Sequence, residues 1–189
     1  MGLKVITPPA MEPLSLEEAK HHLRISGDDD DAIITSLITQ AREYCEGYQK
    51  RRYITQTIEL VLDSFPSENY IEFTSFSPIQ SVVSVKYYGT DGAEYIFDAE
   101  NYIVDTDSLV NRIALGYNKQ WPSTALQPIN AVRIRFVAGY GDASEVPESV
   151  KWAMVMQMRL AYDDYSPDER TKIENVRDAF LYLNSVVPV

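Results

Sequence analysis

The adjacent histidines His21 and His22 are the first place in this sequence where a metal or a general base could sit. Consecutive residues on a helix point about 100° apart, so the two imidazoles cannot close on one ion as an i, i+4 pair does. The spacing predicts surface or half-buried helical histidines. Four aspartates at 28–31 offer hard oxygen ligands, yet a calcium loop spaces its ligands along alternate positions and ends on a distant Glu. A compact acidic run ahead of an apolar stripe predicts helix N-capping and dipole complementation instead. Gly139-Tyr140-Gly141-Asp142-Ala143-Ser144 has the beginning of a dinucleotide fingerprint, but the third glycine is Ser144, Pro147 intrudes, and no βαβ unit with a spaced acidic residue follows. A glycine turn leaving a sheet is the preferred reading. The single cysteine, Cys45, falls on an apolar helical stripe, as a small buried hydrophobe does. No carboxylate spacing marks a glycosidase pair, and G-x-S-x-G, H-E-x-x-H and a Walker lysine are all missing. The expectation is a noncatalytic protein with no metal and no cofactor. Lys50-Arg51-Arg52 is the one basic cluster; it reads as a solvated corner or a complement to a helix C-terminus, with a local contact to a nucleic-acid backbone as the alternative.

These residues sit on elements whose periodicity changes twice. Ser15-Leu16-Glu17-Glu18 is a capping box, S-x-x-E, opening a short helix with Leu16, Ala19 and Leu23 on its apolar side. A second helix begins in the aspartate run, with Ile34, Leu37, Ile38, Ala41, Tyr44, Cys45 and Tyr48 as its stripe and Gln40, Arg42, Glu43 and Glu46 mostly opposite. Residues 53–62, 69–73, 79–88, 94–97, 102–105, 112–115 and 131–137 read as strands. Gly89-Thr90-Asp91-Gly92 supplies a hairpin turn between two of them. With no helical crossovers between strands, the pairing is expected to be antiparallel. Helix returns at Pro147, and residues 150–162 are apolar nearly all round, so that helix must be covered by the rest of the domain or by a partner. Its Trp152, Met154, Met156, Met158 and Tyr162, with Tyr140 just before it, are the candidate residues for an oligomer or partner interface. A second capping box, Ser166-Pro167-Asp168-Glu169, opens a last helix whose stripe is Ile173, Val176, Phe180 and Leu183. The fold class is therefore α+β. A helical core formed by the N-terminal pair (15–50) and the C-terminal pair (147–183) carries an inserted antiparallel β block (53–137), all in one domain, 1–189.

The chain has 189 residues, with 17 Lys+Arg against 28 Asp+Glu and a net charge of −11. That length can bury roughly 70% of its unfolded surface and form a core without disulfides. The acidic balance weighs against a tight nucleic-acid binder, whose affinity comes from Lys and Arg neutralising phosphates. One cysteine excludes a disulfide framework and fits a reducing compartment. No apolar run is long enough to span a membrane, and the start of the chain does not read as a signal peptide. Tyrosine makes up 13 of the 21 aromatic residues, a surplus that suits contact surfaces.

Several segments, taken in order, resemble the phage head–tail connector family of long-tailed phages and prophages. Pro13-Leu14-Ser15-Leu16-Glu17-Glu18-Ala19-Lys20 leads to His22-Leu23-Arg24-Ile25. The acidic stretch from Asp29, the helix to Tyr48 and the pair Thr55-Gln56 come next. Ser77-Pro78-Ile79-Gln80-Ser81-Val82, Lys86-Tyr87-Tyr88, Trp121-Pro122, Ala138-Gly139-Tyr140-Gly141 and Val146-Pro147 to Trp152-Ala153 complete the pattern, which covers residues 13 to 165. The resemblance implies a structural protein of the virion neck. Such a protein forms a homo-oligomeric ring that docks to the portal protein, helps seal the DNA-filled head and offers a surface to the tail or the next neck adaptor. It would reside in the virion neck, and in the host cytoplasm during assembly. DNA would pass through the ring without sequence-specific binding, and the acidic charge suits a channel that must not hold its cargo. Residues 170–189 match nothing in that pattern. The alternatives are another head-completion or neck protein or, from a different class, a small ligand-binding domain or enzyme for which residues 139–144 are the only lead.

Overall fold

The structure is a computed structural model that describes residues 2–183 and 185. Among the described residues, four α-helices and eight strands in two antiparallel sheets make an α+β protein, as the two periodicities imply. They are divided between two compact units, one of Met1–Pro9 with Thr55–Gly139 and the other of Ala10–Ile54 with Tyr140–Val189.

The first unit holds all the strands. β1 (Gly2–Thr7), β2 (Gln56–Leu62), β4 (Ile79–Tyr88), β5 (Glu94–Phe97) and β8 (Val132–Ala138) form a five-stranded sheet in the order β1-β2-β8-β4-β5. β3 (Tyr70–Glu72), β6 (Tyr102–Asp105) and β7 (Arg112–Leu115) form a second sheet in the order β3-β7-β6. Alternation fixes the faces. Ile58, Leu60, Val85, Ile134 and Phe136 point inward to a core shared with Ile71 and Ile113 of the smaller sheet, while Glu59, Lys86, Arg133 and Arg135 take the opposite face. β1 is a departure from the expected Pro-rich lead-in. Its apolar run is short, and Pro8 and Pro9 end the strand instead of preventing it. The β4–β5 hairpin turns where the sequence predicts: Gly92 takes φ +78° and the Asp91 carboxylate accepts the Ala93 amide at 3.0 Å.

The second unit is helical. α1 (Leu16–Leu23), α2 (Asp31–Gln49), α3 (Glu148–Tyr162) and α4 (Pro167–Tyr182) share one core of Ile34, Ile38, Cys45, Val150, Met154, Met158 and Leu181, among others. Both capping boxes form. Ser15 accepts the Glu18 amide while Glu18 accepts the Ser15 amide, and Ser166 and Glu169 make the same exchange. The apolar stripes of α2 and α4 differ from the periodic reading. On α2, Arg42 and Glu46 are buried although they read as outward, and Tyr44 and Tyr48 are exposed. On α4 the buried residues are Arg177 and Leu181, leaving Val176 and Leu183 in solvent. A polar network explains the shift. Arg42 pairs with Glu12 at 2.6 Å and Glu46 at 3.2 Å, and Glu46 accepts the Tyr53 amide at 2.9 Å. Arg177 donates to Gln157 at 2.7 Å and lies 4.6 Å over the Tyr44 ring. Arg177 also pairs with Asp178 at 2.8 Å, so the buried charges of α2 and α4 each have a partner of opposite sign, as burial demands.

Candidate assembly surface

The residues that could do chemistry are occupied by structural roles. His22 packs edge-on against Trp152 at 5.0 Å, and His21 is exposed. Among the described residues no three His, Cys, Asp or Glu side chains group to hold a metal ion. The aspartate run does not cap α2 as expected: Asp30 stands at the N-cap, but its side chain makes no capping bond. Lys20 instead gathers Asp28 at 2.9 Å and Asp31 at 2.6 Å, which holds the exposed Asp28 carboxyl below its usual range, and Asp30 accepts the Tyr162 hydroxyl at 2.8 Å. Cys45 is fully buried, and the loss of solvent pushes its thiol up to about 12.

Residues 139–144 form the glycine turn expected where the chain leaves the sheet. Gly139 and Gly141 take φ values of +124° and +144°, which an L side chain resists. Two of its amides are already used: Gly139 donates to the Pro78 carbonyl and Tyr140 to the Tyr53 carbonyl, both at 2.9 Å. The basic cluster at 50–52 is only partly a solvated corner. Lys50 closes α2 in the left-handed region, with its amide on the Glu46 carbonyl. Arg51 is buried beneath the Tyr140 ring at 6.0 Å, and Arg52 faces Glu46 at 3.6 Å. Only the Lys50 side chain is exposed.

The six candidate interface residues separate by burial. Met154 and Met158 are 0% and 1% exposed and belong to the helical core. Trp152, 42% exposed, and Met156, half-buried, lie four residues apart and share the outer side of α3. Tyr162 is half-buried at the end of that helix. Tyr140 stacks on Tyr53 at 6.3 Å, and burial raises its phenol pKa. The structure thus places a Trp152–Met156 patch on α3 beside His22, with Ile33, Tyr44 and Tyr48 on α2 and Val176 and Tyr182 on α4 as further exposed apolar groups. The periodic reading counted Tyr44, Tyr48 and Val176 as core. The i, i+4 spacing of Arg42 and Glu46 was the available signal that a charged pair shares that face.

The outer face of the five-stranded sheet is unusually basic for an acidic chain. Cross-strand partners share a face, so Lys4, Glu59 and Arg135 form one row, with Arg133, Lys86 and Ile96 beside it. Glu59 is held between Arg135 at 2.9 Å and Arg133 at 3.6 Å. Lys86 reaches Glu94 at 2.6 Å, and this bond with that from Tyr88 keeps the exposed Glu94 carboxyl below its usual range. Four of the unit's six cations lie on this face.

Residues 13–105 match the phage gp6-like head–tail connector protein family, which bears out the resemblance drawn from the residues over that stretch. No curated protein matches the chain. Among solved structures, a chain in the neck of an empty gene transfer agent (GTA) particle, computed with C6 symmetry, superposes with a TM-score of 0.81 at 20% identity; the alignment covers 100% of this chain and 97% of that one. A chain from the virion of a native GTA particle gives 0.80 at 19% identity, and one from a native neck computed with C12 symmetry gives 0.77 at 20%, with the same coverage. At these identities the shared property is the fold. It extends over α4, for which the sequence pattern had no counterpart.

Proposed function

We propose that this chain, a phage gp6-like head–tail connector over residues 13–105, is a noncatalytic structural subunit of a phage or prophage neck that assembles as a homo-oligomeric ring. The observation that carries the reading is the family match combined with a fold shared over the full chain with proteins of GTA necks. In this reading the ring docks to the portal protein, helps seal the packaged head and receives the tail or the next adaptor. Both units are acidic, with 6 basic against 10 acidic residues in the first and 11 against 18 in the second. An acidic lining lets DNA slide without being held, so the basic outer face of the five-stranded sheet is turned away from the channel. The Trp152–Met156 patch, with Tyr162 at the end of that helix and Tyr140 as further candidates, is the contact surface proposed on the helical unit, because a part-exposed aromatic beside apolar neighbours is the usual anchor of an interface.

The test is sedimentation of the purified chain alone and mixed with the portal protein encoded beside it. Co-sedimentation with portal rings, weakened by Trp152→Ala, supports the reading. A chain that stays monomeric at high concentration and ignores the portal contradicts it.

A further inference from the structure

The two ends of the five-stranded sheet differ in a way that fits them to each other. β1 is an edge strand of six residues, and no strand pairs with its outer side among the described residues. Its core-side residues Leu3 and Val5 are 44% and 49% exposed although they pair with the buried Leu60 and Ile58. The cover stops short of them. Leu60 and Leu62 also line an open groove of about 400 Å³ with Pro66, Tyr70 and Ile71, so the apolar face stays accessible on that side. At the other end β5 is unpaired on its outer side, and its Ile96 is 63% exposed. The charges are complementary. Lys4 is the only charged residue in positions 1–11 and has no ion-pair partner among the described residues, whereas positions 91–100 carry Asp91, Glu94, Asp98 and Glu100 with no cation.

Unprotected edges with free backbone groups are templates for another strand, and proteins ordinarily blunt them. A closed ring of identical subunits needs a heterologous contact between two different patches of the same chain, and these two edges provide one. We infer that, in the ring proposed above, β1 of one copy adds to β5 of the next, continuing the five-stranded sheet from subunit to subunit. Four antiparallel pairings separate β1 from β5 in the sheet order, so the two edges run in the same direction. Rotation about a ring axis preserves that sense, and the contact is a parallel pair. Lys4 then lies on the same sheet face as Glu94 and Ile96 of the neighbour, while Leu3 and Val5 lie on the face of its Tyr95 and Phe97. Isologous pairing of β1 with β1 would be antiparallel and would stop at a dimer.

The inference rests on the ring reading, and one experiment separates the two. The double variant Lys4→Cys with Ile96→Cys, both at exposed sites, is treated with a short bismaleimide at pH 7 after circular dichroism has shown it folded. The buried Cys45 contributes no background. The expected result is a ladder of covalent multimers beyond the dimer for the double variant and none for either single variant. If electron microscopy shows rings but the double variant gives no ladder, the strand pairing is overturned and the ring reading stands. Dimers from Lys4→Cys alone also overturn it, in favour of an isologous edge. If neither rings nor self-association appear, with or without the portal protein, both readings fail together.

Discussion

Met158→Ala and Trp152→Ala, two substitutions on the same helix, are expected to have opposite consequences. Met158 is 1% exposed amid Ile38, Cys45, Met154 and Leu181 in one apolar core. Truncation removes the burial of a full side chain and leaves a cavity that packed helices fill only in part. The expected loss is about 2–5 kcal/mol of unfolding free energy. With a urea slope in the upper part of the range for small proteins, about 2–3 kcal/mol/M, the unfolding midpoint falls by roughly 1–2.5 M. Trp152 keeps 42% of its surface in solvent and makes one edge contact with His22 at 5.0 Å. Its loss costs about 1–2 kcal/mol, roughly half the value of full burial with a small aromatic contribution. Urea unfolding followed by far-UV circular dichroism measures both, and sedimentation with the portal protein measures assembly. Met158→Ala is predicted to lower stability while the folded fraction still assembles, and Trp152→Ala to weaken assembly with a small stability change. Equal stability losses, or an assembly defect confined to Met158→Ala, would refute the division of α3 into a core side and a contact side.

Other perturbations follow from single contacts. Asn111 is buried, accepts the Ile79 amide at 2.8 Å and donates to the Ser108 carbonyl at 3.0 Å. Asn111→Ala leaves that amide unpaired and is expected to cost about 1–3 kcal/mol, read from chemical denaturation. Ser166→Ala removes an N-cap oxygen and is expected to cost about 0.5–2 kcal/mol in the same measurement, with no effect on the β unit. Glu18 is held below its usual value of 4.5, chiefly by the Ser15 amide and then its hydroxyl. Its contribution to α1 is therefore complete above pH 4.5 and is lost as pH falls below it; Glu18→Gln should flatten the acid limb of stability against pH. Cys45, with its thiol pushed up to about 12, should resist a thiol reagent at pH 8 in the native protein and react at once in urea. Rapid native labelling would contradict its burial.

Periodicity placed the helices and seven of the eight strands within a few residues, because each carries its own local signal: two capping boxes, a glycine-aspartate hairpin turn and β-branched runs. β1 was not legible, since a single short apolar run before two prolines acquires strand character only from its partner β2, fifty residues away. The sides of α2 and α4 were misread for another reason. Apolar stripes assume that charge faces water, and here Arg42, Glu46 and Arg177 are buried with their partners. That exchange moves Tyr44, Tyr48 and Val176 to the surface. Met154 and Met158 could not be told from Trp152 and Met156 by sequence, because a helix apolar all round declares no outer side. The basic face of the sheet was visible only as the alternation of Arg133 and Arg135; Lys4 and Lys86 join it through strand order, which no local pattern encodes.

Cryo-electron microscopy of this chain bound to its portal protein shows whether the ring forms. A closed ring of cyclic symmetry beneath the portal is expected, with a lumen lined by acidic side chains and the Lys4, Arg133, Arg135 and Lys86 face turned away from it. Portal particles without a ring, or a ring whose lumen is basic, would contradict it.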